Sequence, residues 1–131
     1  MSNGKIIEPA SCKNIRDHER RTARAFAEAG YTVEFIPESS QDFTKSPDVL
    51  INGKRYEIKS PSTARLDHFD KILRLASRQS DRIVIDSQKI KAFPDSKLLA
   101  FLKSRYPFQK TIKQIILINK KREIIDISSL L

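Results

Sequence analysis

Cysteine is almost absent from this chain. Cys12 is the only one, so no intramolecular disulfide can form and nothing requires an oxidising compartment. Long apolar segments are absent as well: the longest aliphatic run covers residues 115–118, which is too short to span a membrane, and the first residues lack the apolar core of a signal peptide. Internal repeats and low-complexity stretches are also missing. We therefore expect a protein that acts in the cytoplasm, without a membrane span.

Acidic residues are scarce relative to basic ones. The 131 residues contain 25 Lys and Arg against 16 Asp and Glu, which gives a net charge of +9. A chain of this length is expected to form one domain with its own core, over residues 1–131. The excess of positive charge favours a polyanionic partner. Nucleic acid is the first candidate, and an acidic inhibitor protein is another.

Asn52-Gly53 lies between two runs of alternating apolar and polar residues. Both residues tolerate the positive φ of a two-residue type I′ turn, so the pattern predicts a β-hairpin of fixed register, in which Asp48 lies opposite Glu57. Because side chains alternate across a strand, Asp48, Glu57 and Lys59 share one face. The other face is apolar and carries Val49, Ile51, Tyr56 and Ile58.

The acidic face of this hairpin predicts a metal site. Carboxylates directly opposite each other lie roughly 5 Å apart at Cβ and destabilise a sheet. A divalent cation relieves this repulsion, because Mg²⁺ binds through one or two carboxylates together with waters and substrate phosphate. Lys59 is near enough to polarise a water or neutralise a phosphate oxygen. A simpler interpretation is an exposed face with a cross-strand Lys-Glu pair.

Residues 14–29 have the periodicity of a helix, with Asn14 as a candidate N-cap and Gly30 at the C-terminal end. Glu19 falls within the inward stripe of this helix, beside Ile15, Thr22, Ala23 and Phe26. A buried, ionised carboxylate is costly unless it is paired or bound to a metal. Glu19 is therefore a candidate site residue, although it could also lie at the flank and reach solvent or Arg16.

A basic stripe runs along the opposite side of the same helix. Its members are Lys13, Arg16, Arg20 and Arg24. Such a stripe is usually a solvated face, but it could also contact phosphate. The polar stretch at residues 37–47, which contains Lys45, is a candidate substrate loop beside the hairpin.

The rest of the chain alternates between helix and strand signals. Residues 1–13 predict a mobile lead-in, and residues 31–36 a strand. A helix capped by Ser62 or Thr63 is expected to end near Gln79, followed by a buried strand at 82–86. A C-terminal extension adds a helix at 96–106 and strands at 114–118 and 123–127. The order is αβββαβ, within an α/β (α+β) fold.

Two histidines leave a different chemistry open. His18 and His68 would suit a metal-free ribonuclease that uses two imidazoles. A lone histidine on a helix is more often a surface residue. We therefore place this alternative below the metal site.

The sequence Pro47-Asp48, eight intervening residues and Glu57-Ile58-Lys59 resembles the PD-(D/E)xK motif of the restriction-endonuclease-like nucleases. Glu19 matches the acidic residue that many of them carry on the first helix. The runs at residues 30–35, 47–61 and 79–86 are similar to the tRNA nuclease domain at the C-terminus of CdiA-type contact-dependent growth inhibition toxins. This likeness extends over nearly the whole chain.

The resemblance implies a restriction-endonuclease-like core with a mixed central sheet between helices, and a metal-dependent phosphodiesterase. Asp48, Glu57 and the backbone carbonyl of Ile58 would hold Mg²⁺ or Mn²⁺, and Glu19 a second ion or a water. Lys59 would orient the attacking water and stabilise the transition state. Gln79 matches a glutamine of such toxins, and would contact the scissile strand or cap its helix; the cap is the favoured role.

The resemblance also implies a substrate and a setting. The substrate would be RNA, with tRNA as the leading candidate, cleaved by a toxin domain that acts in the cytosol of a competing bacterium and is blocked by an acidic immunity protein. Two alternatives stay open: a DNA endonuclease of repair, resolution or restriction, and a non-catalytic nucleic-acid-binding module. Site residues do not separate RNA from DNA, because substrate choice depends on loops and surface charge.

Overall fold

A computed structural model describes residues 4–12, 14–37, 48–62, 64–108 and 110–130, with only the backbone of Asp48 and Phe108. The chain divides into two compact units, Met1–Tyr56 and Glu57–Leu131. Each unit is described by itself below. The prediction of a single domain over residues 1–131 stays a prediction.

The elements follow the predicted order, with one short strand added at the start. They are β1 (Ile6–Ile7), α1 (Asp17–Glu28), β2 (Val33–Ile36), β3 (Asp48–Ile51), β4 (Lys54–Lys59), α2 (His68–Ser77), β5 (Arg82–Asp86), α3 (Asp95–Arg105), β6 (Gln114–Ile118) and β7 (Ile124–Asp126). The segment from α1 to β5 reads αβββαβ, as predicted, and α3, β6 and β7 form the predicted C-terminal extension. Most predicted boundaries agree with the observed ones to within two residues.

The seven strands form one mixed sheet in sequence order. Pairing is parallel between β1 and β2, β4 and β5, and β5 and β6, and antiparallel between β2 and β3, β3 and β4, and β6 and β7. The predicted mixed α/β sheet is therefore confirmed.

Helix α1 of the first unit begins later than predicted. Arg16, and not Asn14, is the N-cap residue, because the carboxylate that closes the first turn belongs to Glu19 and accepts a hydrogen bond from the Arg16 N–H at 2.9 Å. The helix ends as expected: Ala29 is the C-cap and Gly30, with φ of +97°, turns the chain away. The predicted inward stripe is buried along its whole length.

The hairpin of the first unit has the predicted turn and register. Asn52 and Gly53 have φ values of +49° and +82°, which suit a type I′ turn, and Val49 pairs with Tyr56. Asn52 also exchanges two hydrogen bonds with the backbone of Thr32, at 2.9 Å and 2.8 Å. The turn is therefore fixed to the segment before β2 as well as by its own backbone.

Part of the predicted mobile lead-in is a strand. Ile6–Ile7 pairs in parallel with β2, and the chain beside it is held by hydrogen bonds from Gly4 N–H to the Ala27 carbonyl and from Val33 N–H to the Lys5 carbonyl. The prediction was wrong for these residues because a two-residue strand is too short to show alternation.

The core of the second unit lies where α2 and α3 pack against the parallel strands β5 and β6. Its fully buried side chains include Phe69, Leu73, Ile83, Ile115 and Leu117. Helix α2 starts at His68 with Asp67 as its N-cap residue, so the expected cap at Ser62 was wrong, and Thr63 lies outside the described residues. Hydrogen bonds from the His68 and Phe69 N–H groups to the Arg65 and Leu66 carbonyls form a short turn at the start of the helix.

An ion pair between Asp86 and Arg122 links the end of β5 to the turn between β6 and β7. The guanidinium bonds both carboxylate oxygens, at 2.8 Å and 3.0 Å, and the Asp86 side chain is only 2% exposed. Asp86 also accepts a hydrogen bond from the Gln88 N–H. This pair could not be predicted from the sequence, because its members are 36 residues apart. An aspartate at the end of an apolar strand was the only sequence feature that indicated a buried charge.

We expect Arg122→Ala to lower the free energy of unfolding by about 3 kcal/mol, because it leaves the Asp86 carboxylate buried without its cation. The matched control is Arg65→Ala. Arg65 bonds both oxygens of Asp67 with similar geometry, but the two side chains are 71% and 66% exposed, so its loss should cost less than about 1 kcal/mol. Urea denaturation measures both. Equal losses would show that burial of the Asp86 pair adds nothing.

Candidate active site

Glu57 and Lys59 are charged residues that share one face of strand β4. They are two positions apart and therefore point to the same side of the strand, while Ile58 between them is buried. Both charged side chains are half-buried, and the Lys59 ammonium lies 3.6 Å from Glu57 Oε1. The structure thus brings together a carboxylate and a cation on a face of the strand that solvent can reach.

Gln79 adds a third group to this site. Helix α2 ends at Ser77, and the Gln79 N–H then bonds the Ala76 carbonyl at 2.9 Å. With its nitrogen turned toward Glu57, the orientation that pairs donors with acceptors, the Gln79 amide donates to Glu57 Oε1 and Oε2 at 2.9 Å and 2.7 Å. In this orientation the side chain contacts the Glu57 carboxylate, and Arg78, not Gln79, is the C-cap residue of α2.

The three groups give Glu57 a defined orientation. The Lys59 ammonium and the Gln79 amide both lie close to its oxygens. A carboxylate oriented in this way is a hard oxygen ligand of the kind that Mg²⁺ or Mn²⁺ takes. Lys59 is a mobile donor that can be shared between this carboxylate and an incoming anion.

Glu19 lies in the first unit, on the buried side of α1. It is 6% exposed, which confirms that it lies on the inward stripe. Its carboxylate accepts the hydrogen bond from the Arg16 N–H that closes the first turn of α1. Glu19 therefore has a structural role that the sequence analysis missed, although a glutamate at the third helical position is a known signal for it.

Two substitutions separate this cap from a chemical role. In Glu19→Gln the amide oxygen can still accept the Arg16 N–H, so stability should hardly change, while loss of the charge should lower the activity expected of the site about tenfold or more if the carboxylate acts on a bound ion or water. Glu19→Ala removes the cap as well and should cost about 1 kcal/mol. Thermal melts and rate assays measure these effects, with the exposed Glu28→Gln as control. Full activity in Glu19→Gln would leave the residue with its cap role alone.

Other predicted site residues have different outcomes. Arg16, Arg20 and Arg24 are exposed on α1, but Arg20 is engaged by Glu8 at 2.6 Å, and this hydrogen bond lowers the pKa of the Glu8 carboxyl. Lys13 and Lys45 lie outside the described residues. For Asp48 only the backbone is described; it pairs with Ile36 in the sheet.

The two histidines lie in different units. His18 is half-buried on α1 of the first unit, and His68 is exposed at the start of α2 in the second. Among the described side chains no group of three or more His, Cys, Asp or Glu could hold a metal ion.

No helix in the described ranges is long and apolar enough to cross a membrane.

Comparison with known proteins gives two findings. The family described as "Contact-dependent growth inhibition CdiA C-terminal domain" matches residues 45–124, a segment that contains Glu57, Lys59 and Gln79 but not Glu19. The fold is similar to a chain of a CdiA-CT/CdiI toxin and immunity complex from Burkholderia pseudomallei, with a TM-score of 0.70 and 24% identity over 94% of this chain and 98% of that one. A search of curated proteins gives no match.

Proposed function

Since the chain belongs to the contact-dependent growth inhibition CdiA C-terminal domain family, we propose that it is a toxin domain of bacterial competition that acts as a metal-dependent endonuclease on RNA, with tRNA as the leading substrate. The observation that carries the proposal is the cluster on β4. Glu57 and Lys59 have the spacing of the PD-(D/E)xK motif, and the Lys59 ammonium lies 3.6 Å from the Glu57 carboxylate. The Gln79 amide also contacts that carboxylate.

The residues present fit a divalent cation held by few protein ligands. Glu57 supplies a half-buried carboxylate whose orientation is fixed by Lys59 and Gln79. Asp48 and the backbone carbonyl of Ile58 would complete the protein ligands. Mg²⁺ is commonly bound by one or two carboxylates, with waters and substrate phosphate in its remaining positions, so this donor set suits Mg²⁺ or Mn²⁺ better than a closed structural site.

Each residue then has a role in phosphodiester hydrolysis. A bound divalent ion would lower the pKa of a water and stabilise negative charge on the phosphate. The Lys59 ammonium orients the attacking water and offsets charge that develops on the phosphate oxygens. Gln79 holds the Glu57 carboxylate in place through two hydrogen bonds, so that no reorganisation is needed when substrate arrives. No side-chain nucleophile takes part.

Charge supports a nucleic acid as the substrate, and the resemblance supports RNA. A net charge of +9 suits a polyanion, and the runs at residues 30–35, 47–61 and 79–86 are similar to a tRNA nuclease domain. The similar fold comes from a toxin and immunity complex, so we also propose an acidic immunity protein as partner. The toxin domain itself would act in the cytosol of a target cell.

Incubation of the purified chain with total tRNA and with plasmid DNA, each with Mg²⁺, tests the proposal. We expect tRNA fragments and intact plasmid. Cleavage of the plasmid in place of tRNA would assign the site to DNA and contradict the substrate class. Failure to cleave either one would reduce the protein to a binding module.

A further inference from the structure

The outer face of α2 carries a row of cations that the site described above does not use. Lys71, Arg74 and Arg78 are all exposed. At 3.6 residues per turn they fall within one narrow stripe, on the side of the helix opposite the buried Phe69, Leu73 and Ala76. From Lys71 to Arg78 the stripe extends about 10 Å along the helix axis. We call Lys71, Arg74 and Arg78 the α2 stripe.

The charges of the α2 stripe are not neutralised within the described part of the chain. None of the three side chains forms an ion pair with a described carboxylate. The nearby acidic residues are engaged elsewhere: Asp70 pairs with Arg105 at 3.4 Å and Asp67 with Arg65 at 2.6 Å. On α1, by contrast, Arg20 is held by Glu8. A concentrated, unneutralised stripe of this kind favours a polyanion.

The α2 stripe ends at the residue that precedes Gln79 of the candidate active site. Arg78 is the C-cap residue of α2, and the next residue is Gln79, whose amide lies against the Glu57 carboxylate. A strand of nucleic acid whose phosphates contact the outer face of α2 would therefore pass toward Glu57 and Lys59.

We infer that the α2 stripe is the docking surface for the phosphate backbone of the nucleic acid, and that it places the scissile strand at Glu57. The inference rests on the proposed function, because that proposal identifies nucleic acid as the binding partner. It assigns substrate binding mainly to the second unit and to three residues that sequence patterning did not single out. A helix spaces its exposed side chains regularly. Contacts to the phosphate backbone of a nucleic acid depend on charge and not on base sequence. The α2 stripe should therefore bind nucleic acids of many base sequences.

Binding can be measured without cleavage by using fluorescently labelled total tRNA in EDTA. The triple variant Lys71→Gln, Arg74→Gln and Arg78→Gln should bind about 10 to 100 times more weakly near 50 mM salt, and the slope of log affinity against log salt should fall by about 2 to 3. The control is Lys97→Gln, Lys103→Gln and Lys110→Gln, which removes three exposed lysines and the same charge. It should bind within about threefold of the unmodified chain. Circular dichroism and thermal melts verify that both variants fold.

Any of four results would overturn the inference. Equal weakening in both variants would show that net charge alone matters. Unchanged tRNA affinity in the stripe variant, or no tRNA binding by the unmodified chain, would remove the docking surface. Poly-glutamate serves as a model of an acidic protein. If the stripe variant lost binding to poly-glutamate but kept its binding to tRNA, the stripe would be assigned to an acidic protein. If instead tRNA binds through the stripe but is never cleaved with Mg²⁺, the inference stands and the proposed nuclease activity fails.

Discussion

Replacement of Glu57 by glutamine should reduce phosphodiester cleavage about a hundredfold to a thousandfold while the protein stays folded. The reason is electrostatic: the carboxylate is the anionic group that we propose as a ligand of the divalent ion, and a preorganised charged group of this kind contributes a factor of this size. Glutamine keeps the shape of the side chain but removes the charge that a divalent ion requires. Stability should not fall, because the change removes a half-buried charge. Initial rates on tRNA and a thermal melt measure the two effects.

Matched variants show whether the loss belongs to this site. Glu34→Gln neutralises another half-buried carboxylate on a strand and should keep full activity. Lys59→Ala should reduce activity strongly, whereas Lys54→Ala, at the exposed start of the same strand, should not. If Glu57→Gln retained activity at the level of Glu34→Gln, the site would have been assigned to the wrong face of the hairpin.

Removal of divalent ions should abolish cleavage completely, and added Mg²⁺ or Mn²⁺ should restore it. The ion would supply both the activated water and the charge stabilisation, which no side chain at this site replaces. The same ion should stabilise the folded state, by about 2.7 kcal/mol when its concentration is 100 times its dissociation constant. Calorimetry with EDTA and with Mg²⁺ measures this as a rise in melting temperature.

Asp48→Asn is the control for ion binding. It should abolish the rise in melting temperature, because it removes the carboxylate that we propose as the second protein ligand. The rise should persist in Glu34→Gln. An unmodified protein whose melting temperature and activity were both indifferent to Mg²⁺ and Mn²⁺ would exclude the proposed site.

Local sequence signals were sufficient to predict those parts of the fold that depend on interactions between residues close together in the chain. The Asn52-Gly53 turn has one favoured geometry, so the hairpin register and the face shared by Glu57 and Lys59 could be predicted. The periodicity of α1 likewise placed Glu19 on the buried side. Alternation and apolar runs were enough to locate β4, β5 and β6, because these strands are long enough to show a pattern.

Other features depend on residues far apart in the chain and could not be predicted. Gln79 meets Glu57 because β4 and β5 pair in parallel and bring Glu57 beside Ile83, four residues after Gln79, and no spacing rule connects positions 57 and 79. The pair of Asp86 with Arg122 is also non-local. The start of α2 was missed because serine and threonine are good cap residues, whereas the helix begins where burial of Phe69 becomes possible.

The chemistry of the cleaved ends of tRNA tests the central claim most directly. Attack by a water leaves a 5′-phosphate and a 3′-hydroxyl and does not use the 2′-hydroxyl, whereas a histidine ribonuclease uses that hydroxyl and passes through a cyclic phosphate. We predict 5′-phosphate ends, formed only with Mg²⁺ or Mn²⁺, absent in Lys59→Ala and still formed in the double variant His18→Ala and His68→Ala. Recovery of 2′,3′-cyclic phosphate ends from a reaction in EDTA would contradict the account.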